Sequence, residues 1–423
     1  MRKIMPYPRR QIPPLARIKQ NLPTDHINDV RGEVCRRLLA AELRKYVRKG
    51  SRIAITAGSR GMGGFVELLV GISDAIKSLG GEPFIIPAMG SHGGATAEGQ
   101  VEILKRLGVT EESIGVPIKA TMQTHAIGTS NTGAIAHLDH LAAEADGIIV
   151  LGRTKTHPEN REGVASGLLK MVTVGLGKQI GAQEAHTHGL WPSVEAVPEV
   201  TMAKAKILCG IAVVENAFRQ PVEIEIVPAT YESFKDADQR LLKTAKPHVA
   251  DVPFHQLDLL IVDELGKNIS GTGMDLNVIG KWRMTGGAHD PDFRRIVVLS
   301  LTPESLGNGL GIGLADFTTR RFVEEYDDGV TYVNLLTASE PGAMNTMEGP
   351  LPLALENDRD AIEVALFSAL ASPKPRVCRI KNTACLDELW ISEALLSEVE
   401  EDNELKVMAG LAAVEFDAQG NLF

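Results

Sequence analysis

Four histidines and one lysine hold most of the chemistry legible in this chain. His92 stands in Gly90-Ser-His-Gly-Gly94, His157 in Arg153-Thr-Lys-Thr-His157-Pro, and His186 and His188 in Glu184-Ala-His-Thr-His188-Gly. Imidazole exchanges a proton near neutral pH and binds soft transition metals, and a glycine-rich loop offers it no core to fill. Any one of these rings could equally bond a backbone carbonyl; four of them at loop positions tip the balance toward proton transfer or metal binding. His186-Thr-His188 has the spacing of a chelate on an extended segment, which is a weak signal as an isolated pair. Lys170 lies among Leu168, Leu169, Met171 and Val172. Burial there would lower its pKa and free the amine as a nucleophile or covalent tether, whereas a lysine at a helix end would only snorkel to water. Arg60 and Ser59 sit in Gly58-Ser-Arg-Gly-Met-Gly-Gly64, which is neither a Walker sequence nor a dinucleotide fingerprint. Backbone amides opening a helix beside an arginine suit a carboxylate or phosphate. Lys267, in Glu264-Leu-Gly-Lys-Asn-Ile-Ser-Gly, is a candidate for a second cation facing the ligand.

These residues need a frame that brings them to one edge, and the hydrophobic pattern supplies it. Ser51–Ala57 reads as a strand, Gly58–Gly64 as its loop, and Phe65–Leu79 as a helix. Glu82–Pro87, the Met89–Thr96 loop and Glu98–Leu107 repeat the unit, and Gly147–Arg153 begins a third that continues into a helical Val164–Val174. A charged helical stretch, Tyr231–Ala245, leads through Pro247 and Pro253 to a new strand at Leu257–Asp263, with further strands at Arg295–Leu301 and Thr331–Thr337. The expectation is an α/β protein of two lobes, each with a largely parallel sheet flanked by helices, and an active site in the cleft between them. The domains would be residues 1–250, binding cofactor and carrying catalysis, and residues 251–423, closing the cleft.

Composition narrows the partners. The chain has 423 residues, enough for two domains, and a formal net charge of −10, which disfavours a nucleic-acid partner. It has no run of about 18 uncharged apolar residues, and no apolar segment follows the basic start, so no membrane partner and a cytoplasmic location are expected. Cys35, Cys209, Cys378 and Cys385 form no CxxC pair and read as small side chains in or near the core.

In order and spacing, the site residues resemble the nickel-dependent lactate racemases and their wider group of 2-hydroxyacid racemases and epimerases. That pattern has an arginine in the first strand-to-helix loop, a histidine in a Gly-Ser/Thr-His loop, a second histidine, a Ser-Gly-x-x-Lys segment with a later glycine, and a metal-ligating histidine. Here these are Arg60, His92, His157, Ser166-Gly-Leu-Leu-Lys170 with Gly175, and His186, which follows the lysine by sixteen residues. The match spans most of the first domain. It implies a nickel pincer nucleotide, pyridinium-3,5-bisthiocarboxylic acid mononucleotide, joined covalently to Lys170 with His186 as the protein ligand to nickel. His92 and His157 would be the paired acid and base, Ser59 and Arg60 would contact the cofactor, and Arg60 and Lys267 the substrate. Enzymes that mature the cofactor would be partners. The chain departs from the pattern at Ala57, where the family usually has an acidic residue, and at Leu168-Leu169, where lactate racemases carry a Gly-Arg pair. A hydroxyacid larger or more polar than lactate is therefore expected. Two other readings remain open at this point: a zinc or magnesium enzyme using His186 and His188 on a small carboxylate, and a carboxylate-binding protein without turnover.

Overall fold

A computed structural model of the chain describes residues 7–155, 166–338, 346–369 and 372–422. Two compact units emerge, one chiefly Pro23–Val249 and the other Met1–Leu22, Ala250–Leu335 and Asn345–Phe423. The first strand, β1 (Leu15–Gln20), lies antiparallel between two strands from the far end of the chain, with Ile18 opposite both Leu389 and Val407. Residues 15–20 thus depart from the expectation that the first domain begins at residue 1. Their short apolar run, with Ala16 and Ile18 fully buried, completes a sheet built by residues beyond 250.

In the Pro23–Val249 unit the chain forms β2 (Arg52–Ala57), β3 (Glu82–Pro87), β4 (Thr124–Thr129), β5 (Ile135–Asp139), β6 (Gly147–Arg153), β7 (Ile207–Glu215) and β8 (Pro221–Pro228). The main sheet has the order β3-β2-β6-β7-β8, parallel except for the last pair, and β4 and β5 form a separate antiparallel hairpin. Alternating side chains divide between two faces. Ile53 and Ile55 of β2 pack with the helices Val30–Ala40 and Phe65–Ser78, while Ala54, with Ile148 and Val150 of β6, packs against Leu168, Val194 and Phe234. Helical cover on both faces is why these strands read as continuous apolar runs.

The second unit adds β9 (Gln256–Leu265), β10 (Asp292–Leu301), β11 (Phe317–Thr319), β12 (Leu353–Leu355), β13 (Val377–Asn382), β14 (Cys385–Ser392) and β15 (Leu405–Ala412). With β1 they make an eight-stranded sheet in the order β12-β11-β10-β9-β13-β14-β1-β15, parallel from β12 to β13 and antiparallel beyond. The protein is therefore mixed α/β with two large, mostly parallel sheets flanked by helices.

Two local expectations are corrected. Thr331–Thr337, expected as a strand, lies within a helix, Asp328–Ala338. Thr331, Asn334 and Leu335 are buried while Tyr332, Val333 and Leu336 are exposed, a spacing of three and four rather than two. The Asp327 carboxylate accepts the Val330 amide at 3.0 Å and starts the turn, so burial and capping override the β-branched composition. The expected Val164–Val174 helix is, over its described part, one turn at Leu168–Lys170 followed by a π-helical turn, Met171–Gly175. Among the described residues no helix is long and apolar enough to cross a membrane. The four cysteines are free, with Cys209 and Cys378 buried and Cys35 and Cys385 half-buried.

Candidate functional site

The strand order in the Pro23–Val249 unit reverses at β2. Its successor β3 lies on one side and β6 on the other, so the loops after β2 and β6 leave the sheet in opposite directions. Such a switch point, outside the carboxyl ends of parallel strands, is where open α/β sheets bind ligands. The Gly58–Gly64 loop opens there. The Gly63 amide donates to the Glu215 carboxylate at the end of β7, and Glu215 pairs with Arg153, the last residue of β6, at 2.8 Å. A side-chain carbon at Gly63 would lie 1.5 Å from the Arg219 carbonyl oxygen, so only glycine lets the loop seat this way. Ser59 and Arg60 are half-buried beside it.

The loop after β3 carries His92, also half-buried, whose Nδ1 lies 2.5 Å from the Ser59 Oγ. Ser59, expected to touch a cofactor, is thus in direct contact with the candidate acid-base ring. A hydroxyl on Nδ1 fixes the ring plane and, with it, the direction in which Nε2 points.

Lys170 is placed by a residue that the sequence did not single out. Asp238 lies on the helix Tyr231–Ala245, and its carboxylate accepts the amides of Leu168 at 2.8 Å and Leu169 at 2.9 Å. These are two of the orphan donors at the start of the turn that ends on Lys170. A side-chain carbon at Gly167 would fall 2.1 Å from Asp238 Oδ1, which explains the glycine of the Ser-Gly-Leu-Leu-Lys segment. Burial pushes the Asp238 pKa up to about 7, against the opposing pull of the two amides. One signal could have revealed it: Asp238 interrupts the apolar stripe Phe234, Ala237, Leu241 and Ala245 on its helix.

The π-helical turn that follows Lys170, Met171–Gly175, is a rare insertion of a kind frequent at functional sites. Lys170 Nζ stands 5.2 Å from the centre of the Trp191 ring. His186, on the helix Lys178–Thr187, is half-buried, and its pKa is pushed down to about 4, first by burial and then by the Lys170 cation nearby. His186 is therefore a neutral imidazole at neutral pH, the form that binds a metal. His188 caps the same helix, with Nδ1 3.0 Å from the Glu184 carbonyl oxygen, so the pair expected as a chelate on an extended segment lies instead on a helical turn. Among the described residues no three His, Cys, Asp or Glu side chains gather into a metal-holding group.

Packing brings these pieces to one end of the sheet. A side-chain carbon at Gly58 would meet Met171 Cε at 3.4 Å, and one at Gly90 would meet Val174 at 3.0 Å and Ala182 at 3.5 Å. The loops bearing Ser59, Arg60 and His92 thus lie against the turn after Lys170 and the helix of His186. His157 lies outside the described residues. Lys267 belongs to the other unit, where its amide donates to Ser305 Oγ at 2.8 Å and its Nζ donates to the Gly271 carbonyl within the same loop. Compared with known proteins, the chain matches no family model and no curated protein.

Proposed function

We propose that this chain is a racemase or epimerase that inverts the hydroxyl-bearing carbon of a 2-hydroxyacid, with a nickel pincer nucleotide on Lys170, as its resemblance to the lactate racemase group implies. The observation that carries the reading is the packing of the Ser59–Arg60 and His92 loops against the Lys170 turn and the His186 helix. The donor set suits the group. Lys170 offers an amine whose cation is felt by His186, and the His186 imidazole is neutral. Together they would supply one covalent anchor and one imidazole ligand of the kind that suits nickel.

When bound, the cofactor would supply a hydride acceptor at the substrate carbon. The chain's own residues would do the rest. The Arg60 guanidinium would hold a carboxylate or phosphate beside the helix that opens at Phe65. His92, with Nδ1 engaged by Ser59, would move the hydroxyl proton through Nε2. Inversion needs a second base on the opposite face of the substrate, and His157 is the residue we assign to it. Ala57 and the Leu168-Leu169 pair, where the lactate racemases differ, favour a substrate other than lactate.

The test is co-expression with cofactor-maturation enzymes, then intact mass of the protein and chiral analysis of products from a panel of 2-hydroxyacids. The expected result is an adduct mapping to Lys170 and interconversion of the two stereoisomers of one acid. An adduct-free protein with full turnover would overturn the cofactor assignment, and a loaded protein that inverts no acid in the panel would overturn the reaction.

A further inference from the structure

Among the described residues, the largest fully buried side chain is a lysine that neither the sequence pattern nor the proposed reaction uses. Lys178 is 0% exposed. Its Nζ pairs with Asp139 Oδ2 at 2.9 Å, donates to the Pro87 carbonyl at the end of β3, and reaches Gln100 Oε1 at 3.4 Å. Asp139 and Gln100 are also fully buried. Gln100 passes the connection on: its Nε2 donates to the Gly90 carbonyl at 2.9 Å and to the His92 carbonyl at 3.3 Å. The backbone at Lys178 is left-handed, with φ of 56°, a conformation disfavoured outside glycine and held only where the surroundings dictate it. Asp139 is anchored in turn, since its amide donates to the Leu176 carbonyl and its Oδ1 accepts the Ala142 amide at 3.0 Å.

A buried ion pair adds little to stability over an apolar replacement of the same shape, so its presence calls for another role. Here the pair joins the segment that follows Lys170 to the loop that carries His92. We infer that Lys178 and Gln100 are positioning residues, which fix the His92 loop against the Lys170 turn through the bonds to Pro87, Gly90 and His92. This rests on the proposed assignment of His92 as an acid-base group only for its effect on turnover; the placement of the ring can be read without it.

The experiment compares the full chain, loaded by co-expression with maturation enzymes, with Gln100→Leu and with the paired Lys178→Met/Asp139→Asn. The paired change leaves no buried charge behind, and the carboxamide introduced by Asp139→Asn could still accept the Ala142 amide. Labelled-imidazole NMR reports on His92, whose signals are assigned by their loss in His92→Gln. Both variants should keep the Lys170 adduct and shift or broaden the His92 signals. They should lower kcat about 10–100-fold with KM within about twofold, as expected of a group displaced by less than about 1 Å. A network that serves stability alone would lower the melting temperature and leave the His92 signals, and kcat per loaded folded molecule, at the wild-type values; that result would overturn the inference. Should the paired variant fail to fold, Gln100→Leu, which touches no charge, decides. If the wild-type protein shows no inversion, the racemase reading fails by itself and the His92 signals still decide this one.

Discussion

Replacing Asp238 with Asn should change how the stability of the Pro23–Val249 unit depends on pH. Asp238 is fully buried, and its pKa stands at about 7 in the folded protein against an ordinary 3.8. A raised carboxyl pKa means that the folded state keeps a proton which the unfolded chain has already released. The stabilising contribution is therefore complete below about pH 4 and is lost as the pH rises through 7. A gap of roughly three units at about 1.4 kcal/mol each gives about 4 kcal/mol between pH 4 and pH 7.5, from 3.8 unfolded to about 7 folded. Asparagine carries no charge at any of these values and still presents an oxygen to the Leu168 or Leu169 amide, so its own offset should be nearly independent of pH. The assay is denaturant unfolding followed by Trp191 fluorescence in a background with Trp282 and Trp390 changed to Phe. Trp191 is then the sole reporter among the three tryptophans and lies 5.2 Å from Lys170 Nζ. The stability of the parent minus that of Asp238→Asn should fall by about 4 kcal/mol from pH 4 to pH 7.5. Parallel profiles, differing by a constant within about 1 kcal/mol, would refute the claim that burial holds this carboxyl protonated.

Other expectations concern the site itself. Lys170→Ala should fold normally and lose both adduct and nickel, whereas His186→Ala should lose nickel and keep the organic adduct, as read by intact mass and metal analysis. His92→Ala and His157→Ala should each retain the adduct and lose inversion by about 10²–10⁴-fold in chiral turnover assays; full activity in either would remove that residue from its role. Gly167→Ala drives a methyl group to within 2.1 Å of Asp238 Oδ1 and should destabilise the unit by about 1–3 kcal/mol in the same denaturant assay. That loss should shrink in an Asp238→Ala background, because the clashing oxygen is gone.

Much of this protein was legible in the sequence wherever the cause of structure was local. Apolar runs closed by glycines marked β2, β3 and β6, and the loops that carry Ser59, Arg60 and His92 begin where those runs end. The helix Tyr231–Ala245 followed from its periodicity. What the sequence could not disclose were partners set by distance along the chain. Asp238 reaches the Leu168 amide across 70 residues, Lys178 reaches Pro87 across 91, and β1 joins strands that come some 370 residues later or more. Ser59 and His92 meet because β2 and β3 pair in parallel and send their loops to the same edge, a contact that neither loop specifies alone. Thr331–Thr337 shows the same division from the other side: its composition favours a strand, yet the cover over Thr331, Asn334 and Leu335 selects a helix. Periodicity and turn chemistry act within a few residues, whereas a buried carboxylate or ammonium finds its counterpart only when the chain has collapsed around it and water no longer competes.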